Sequence, residues 1–172
     1  MLCGQGMPTP HGAGFFPMRL IDRMFWRTIR LGNIPMPNLF SPLKIGLTTL
    51  QHRVVMAPLT RMRAVAPGYA PTDLMVEYYG QRASEGGLII TEATQISAAA
   101  RGGPDTPGIY TPEQVTGWQR VTQAIHAKGG VAFMQLWHMG RISHSAYQSD
   151  GGAPWAPSAI APQLEVTLPD RT

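Results

Sequence analysis

The chain holds a single cysteine, Cys3, among its 172 residues. One thiol cannot close an internal disulfide, and neither a cysteine-built zinc cluster nor a CxxC redox pair can be assembled from it. A reducing compartment suits that composition. No uninterrupted apolar run approaches the roughly 18 to 20 residues needed to cross a bilayer, so the sequence provides no membrane-spanning helix. Charge of one sign is also scarce outside the amino-terminal region. The net charge is +4 and the isoelectric point is near 9.6. Residues 1–35, however, carry Arg19, Arg23, Arg27 and Arg30 against Asp22, a net +3, whereas residues 36–172 carry ten Lys or Arg against nine Asp or Glu, a net +1. A body so close to neutral lacks the clustered cations that grip a phosphate backbone, which counts against nucleic-acid binding.

What remains is 44% hydrophobic and 14% charged, with 19 Gly and 16 Pro, a mixture that fits one soluble globular domain and argues against coiled coil or collagen. The glycines and prolines of residues 1–35, among them Pro8, Pro10, Gly12, Gly14 and Pro17, punctuate that region too densely for long regular elements. It reads as an irregular tail, with a possible short basic helix from Arg19 to Arg30 but no signal-peptide layout. Gly12-Ala13-Gly14 lacks a preceding strand and the third glycine of a dinucleotide fingerprint, so it belongs to that tail. Met36 opens the regular segment, and is read as the original start of translation with residues 36–172 as the folded domain.

From residue 39 onward short apolar runs alternate with helical patterns. Runs at 54–57, 88–91 and 131–136 are apolar on both alternating faces, as expected of buried parallel strands. Residues 43–45 and 50–54, separated by 46–49, suggest a small hairpin ahead of them. A helix over 73–83 is expected, with Thr72 as its cap and Leu74, Tyr78 and Gln81 on one face, stopped by Gly86 and Gly87. A second is predicted from the capping pattern Thr111-Pro112-Glu113-Gln114, with Val115, Trp118, Val121, Ala124 and Ile125 at helical spacing and Gly129-Gly130 beyond its end. Strand, helix, strand, helix, strand is the order of parallel βαβ units. A complete eight-unit barrel needs about 250 residues, so this chain has room for about three units.

Each run ends in polar or special residues on its carboxyl side: Pro58, Leu59 and Thr60, then Glu92 to Gln95, then Gln135, Trp137 and His138. In parallel α/β folds that is the side where ligands bind. The inventory of hydroxyl, amide, indole and backbone groups suits a flat polar ligand, and Glu92 as the one carboxylate is poor material for a hydrolase. Spacing alone leaves open whether Thr60 and Gln135 bind a ligand or merely cap strand ends. His126, His138 and His144 lack ligand spacing, which argues against a metal site. Met75, Tyr78 and Tyr79 read as a packed helix face, and Trp155 between Pro154 and Pro157 as loop.

Several separated motifs together resemble the Old Yellow Enzyme family of FMN-dependent ene-reductases. They are Asn38 to Pro42, Met56-Ala57-Pro58-Leu59-Thr60-Arg61-Met62-Arg63-Ala64, Pro71-Thr72-Asp73-Leu74, Glu92-Ala93-Thr94-Gln95-Ile96-Ser97 and Gln135-Leu136-Trp137-His138-Met139-Gly140-Arg141. The likeness runs in order from about residue 37 to about residue 158. It implies the amino-terminal portion of a (β/α)8 TIM barrel carrying FMN at its strand ends. It also implies an NAD(P)H:flavin oxidoreductase, in which NADH or NADPH delivers hydride by way of FMN to an alkene activated by a carbonyl or nitro group. Carried over, Pro58 and Leu59 lie along the flavin ring, Thr60 bonds its O4, Ala93 presents backbone to its polar edge, Gln135 bonds the pyrimidine side and Trp137 lines the substrate cavity. A cytoplasmic enzyme acting on a small molecule, without nucleic acid or membrane, is the corresponding expectation.

Two departures qualify the resemblance. Gly103 stands where the family commonly places a pocket tyrosine, and the family's His/Asn pair, tyrosine proton donor, flavin-contacting arginine and phosphate site have no counterpart before Thr172. No catalytic residue is therefore assigned within this chain. A set of three strands leaves exposed edges, so the chain is expected to be marginally stable, aggregation-prone and weak in FMN. The alternative reading is a catalytically inactive half-barrel or interaction module without flavin.

Overall fold

The computed structural model describes residues 36–171. The expectations placed on residues 1–35, the tail, its basic helix and the Gly12-Ala13-Gly14 segment, lie outside the described residues, as does Thr172. An antiparallel hairpin comes first, β1 (Leu43–Ile45) and β2 (Thr48–Leu50), with Leu43 opposite Leu50 and Ile45 opposite Thr48. Its turn is the two residues Gly46 and Leu47, Gly46 taking φ +57°, a conformation glycine adopts without strain. The second arm thus starts two residues earlier than the sequence pattern suggested. Gln51 instead leaves the hairpin and donates its backbone N–H to Gly86 O at 3.0 Å.

The centre is a parallel sheet of β3 (Val55–Met56), β4 (Leu88–Ile90) and β6 (Val131–Phe133), in that spatial order, with Met56 beside Ile89 and Ile89 beside Ala132. Helices α1 (Asp73–Arg82) and α2 (Pro112–His126) form the crossovers. Met56, Ile89 and Ala132 point toward them, meeting Met75, Tyr79, Trp118, Val121 and Ile125 in one apolar core. The opposite alternation is open on the outer strands, where Val55 and Phe133 are 40% and 41% exposed, but Leu88 of the central strand is only 5% exposed. Burial on both faces therefore holds for Leu88 and Ile89 of β4 and is corrected for β3 and β6.

Helix α2 forms as its sequence dictates. Thr111 Oγ1 accepts the Gln114 N–H at 3.3 Å while Gln114 Oε1 accepts the Thr111 N–H at 3.1 Å, a reciprocal cap that satisfies two otherwise orphaned donors. Gln114, Gly117, Trp118, Val121 and Ile125 are buried; Val115 is exposed and Ala124 only half-buried. Helix α1 differs from its expected form in two respects. Thr72 makes no side-chain cap, its hydroxyl donating to Arg63 O at 3.0 Å. The buried stripe is Met75, Tyr79 and Ala83 rather than Leu74, Tyr78 and Gln81, and Leu74 is 54% exposed. Both stripes have helical spacing; the core selects the one whose tyrosine finds a buried hydrogen-bond partner, described below.

The third apolar run is also broken in the middle. Thr91 Oγ1 accepts the Gln135 N–H at 3.3 Å, a side chain standing where a strand carbonyl would be. Pairing resumes beyond it between β5 (Thr94–Gln95) and β7 (Leu136–Trp137), with Thr94 opposite Leu136 and Gln95 opposite Trp137. No described helix is long and apolar enough to cross a membrane.

Candidate functional site

The carboxyl ends of the three strands are tied to one another. Thr94 donates its N–H to Gln135 O at 2.9 Å, joining the tips of the second and third. The tip of the first is held by Glu92, which is 0% exposed and accepts the Arg61 N–H on Oε2 at 3.1 Å. Glu92 Oε1 accepts the Tyr79 hydroxyl at 3.2 Å, and that hydroxyl oxygen in turn accepts the Glu92 N–H at 2.8 Å. Burial pushes the Glu92 carboxyl above its ordinary range, with the Arg61 amide and Tyr79 hydroxyl partly offsetting it. Tyr79 is driven far upward by its own burial and by the Glu92 charge beside it.

Most polar groups along this rim are engaged internally. Thr91 and Thr94 hydroxyls both donate to Glu92 O, at 3.1 and 2.9 Å; Gln95 Nε2 donates to Thr106 O at 3.0 Å, and Thr106 Oγ1 to Gly103 O at 3.1 Å. Several are not. Gln95 Oε1, although buried, has no hydrogen-bond partner among the described residues, and neither has the backbone N–H of Ala93, a residue only 7% exposed. The Thr60 hydroxyl and the Gln135 side-chain amide, both on exposed residues, also lack a partner there. The two exposed side chains are free to bond water or a ligand.

Thr60 and Trp137 line one hollow of about 310 Å³, together with Gly102, Gly103, Met139 and Ile142. Pro58 is half-buried, Leu59 is 51% exposed and Gln135 is exposed; these three and Ala93 are not among its walls. They lie along the strand tips beside it. The two adjacent glycines differ in kind. A Cβ on Gly102 would sit 2.2 Å from Met139 Cγ, so close approach requires glycine there, whereas one on Gly103 would meet only Thr106 Cγ2 at 3.4 Å. A methyl at Gly103 would therefore make ordinary contact without a clash.

Several contributors escaped the sequence reading. Leu164, Glu165, Val166 and Thr167 form a further wall, Glu165 bringing a carboxylate that strand-end counting did not reveal. The Arg101 guanidinium stacks over the rings of Tyr69 and Tyr147, 3.8 and 5.0 Å from their centroids, and the Tyr147 hydroxyl donates to Thr167 O. Nothing in local spacing announces these contacts, because they join segments far apart in the chain. The histidines do local work: His138 Nδ1 accepts the Gly140 N–H at 3.0 Å and His144 Nδ1 the Ala146 N–H at 3.1 Å. Trp155 is 72% exposed in a loop. Among the described residues no group of three or more His, Cys, Asp or Glu converges on a metal-sized site.

Comparison with known proteins gives this geometry a context. Residues 38–171 match the NADH:flavin oxidoreductase / NADH oxidase family. Flavin oxidoreductase hxnT of Emericella nidulans is 53% identical over 129 residues, 73% of this chain and 33% of that protein. 12-Oxophytodienoate reductase 7 of Oryza sativa subsp. japonica is 47% identical over 134 residues, 77% of this chain and 34% of that protein. The solved structure of morphinone reductase superposes with a TM-score of 0.72 at 52% identity, covering 79% of this chain and 36% of that one. The chain spans about a third of the length of the curated relatives it matches.

Proposed function

This chain belongs to the NADH:flavin oxidoreductase / NADH oxidase family, and on that premise we propose that it contributes the first three βα units of a (β/α)8 barrel holding FMN at its strand tips. The observation that carries the reading is a row of groups on that rim without protein partners, the exposed Thr60 hydroxyl and Gln135 amide and the nearly buried Ala93 N–H among them. Their chemistry fits a planar ring with a polar edge and offers no metal ligand set. FMN, when bound, supplies the hydride chemistry that no side chain here can perform.

The residues would divide the work. The Thr60 hydroxyl donates to flavin O4, where it favours electron density on the ring. The Gln135 amide bonds the pyrimidine side, and the Ala93 backbone faces the polar edge. Pro58 and Leu59 form the apolar bed, and Trp137 walls the adjoining hollow in which a small activated alkene is held away from water. NADH or NADPH is the reductant in this reading, and the setting is cytoplasmic. A near-neutral body suits small-molecule chemistry in place of nucleic-acid or membrane contact.

Titrating the purified chain with FMN and following quenching of flavin fluorescence tests the reading. Saturable binding that weakens by roughly fivefold in Thr60→Ala, the loss of about one hydrogen bond, is expected. Binding that is absent, or indifferent to both Thr60→Ala and Gln135→Ala, overturns it.

A further inference from the structure

Glu92 is a buried carboxylate at the rim of a redox site, yet it is not among the hollow's walls. We propose that it is a positioning residue, whose clamp on the Arg61 amide sets the orientation of the Thr60 hydroxyl. The C=O of Thr60 and the N–H of Arg61 belong to one planar peptide unit. Fixing that N–H on Glu92 Oε2 at 3.1 Å therefore fixes the plane attached to the Thr60 Cα. Thr60 is β-branched, so its χ1 has few choices once the backbone is set. The carboxylate is itself immobilised, because Tyr79 holds Oε1 at 3.2 Å from one side and the Glu92 N–H at 2.8 Å from the other, and Tyr79 is 0% exposed in the core of α1. A rigid chain of contacts thus runs from the helix core to the strand tip.

A second observation marks the same segment as held. Met62, two residues past Thr60, has φ +54°. A non-glycine residue in the left-handed region is strained, and persists where surrounding contacts over-determine the backbone. The Ala64 N–H bonded to Asp105 O at 3.1 Å closes the other end of this short stretch.

The clamp itself stands on the contacts alone; its consequence for ligand rests on the flavin reading above, and the experiment separates the two. Amide hydrogen exchange of residues 57–64 is measured in the full chain and in Glu92→Leu, which keeps volume and removes both acceptors, and in Tyr79→Phe, which deletes one hydroxyl. FMN dissociation constants are measured for the wild type, Thr60→Ala, Glu92→Leu and the Thr60→Ala/Glu92→Leu double variant. Arg61 exchange is expected to accelerate by at least roughly fivefold in Glu92→Leu, and by less in Tyr79→Phe. Glu92→Leu should weaken FMN by roughly fivefold, while the double variant binds no more than about twofold more weakly than Thr60→Ala, because the two residues act in series. Glu92→Gln, which retains an oxygen for the Arg61 amide, should restore affinity. Full additivity in the double variant, or unchanged exchange in Tyr79→Phe when Glu92→Leu fails to fold, overturns the proposal. Faster exchange without any FMN binding by the wild type overturns the flavin reading and leaves the clamp standing.

Discussion

Replacing Glu92 by glutamine is expected to flatten the dependence of this chain's stability on pH across the mildly acidic range. The carboxyl is fully buried and its proton affinity is raised above the ordinary glutamate value of 4.5, chiefly by desolvation. Below that value the group is protonated in both folded and unfolded chains, and burial exacts no penalty for charge. Between it and the higher folded value the native state holds the proton more tightly, so stability declines as pH rises; beyond the folded value the loss is complete and constant. One such group gives a slope of at most about 1.4 kcal/mol per pH unit. The lowered proton affinity of exposed Glu113, held down by backbone and Thr111 contacts at the start of α2, acts in the opposite sense and is common to both proteins. The assay is urea unfolding of wild type and Glu92→Gln at a series of values from about pH 4 to about pH 8, read as the difference between the two at each pH. The wild type should lose ground to the variant as pH rises and then run parallel to it. A difference that is flat throughout, or that changes in the opposite direction, refutes the assignment of Glu92 as a desolvated carboxyl.

Other consequences are independent of that group. Trp118 is 2% exposed and donates its indole N–H to Gly108 O at 3.0 Å, so Trp118→Ala should cost about 3 to 5 kcal/mol and abolish cooperative unfolding in a chain of ordinary marginal stability. Gln114→Ala removes the side-chain half of the reciprocal cap and the 2.8 Å bond to Gly68 O while leaving the Gln114 N–H on Thr111; a loss of about 1 to 3 kcal/mol in urea unfolding is expected. Gly102→Ala should destabilise by about 1 to 3 kcal/mol through its clash with Met139, whereas Gly103→Ala should fall within about 0.5 kcal/mol of the parent by thermal unfolding. Equal effects at the two glycines would contradict the difference in space around them.

The elements that could be read from sequence are those whose causes are local. Thr111, Pro112 and Gln114 lie within one helical turn, so their cap is visible as a pattern and appears as such in the structure. The starts of β4 and β6 follow from apolar runs bounded by glycine pairs, and both stand where expected. The break at Met134 and Gln135 depends on the Thr91 hydroxyl of a neighbouring strand, which no scan of 131–136 can see. The choice between the two stripes of α1 was likewise decided at a distance, by the meeting of Tyr79 with Glu92. Thr60 and Trp137, singled out by their place at the ends of apolar runs, line one hollow, whereas Gln135, singled out in the same way, stands outside its walls. The wall from 164–167 came from a stretch without periodicity, brought in by tertiary contacts alone.

Arg101 offers more than its charge. Its flat guanidinium lies over the rings of Tyr69 and Tyr147, and Tyr147 also bonds Thr167, a wall residue of the hollow. Lysine preserves the positive charge but has no plane to lay against a ring. Gly102, the next residue along the chain from Arg101, and Thr167 are thus two walls of the hollow fastened through one side chain, although more than sixty positions separate them in the sequence.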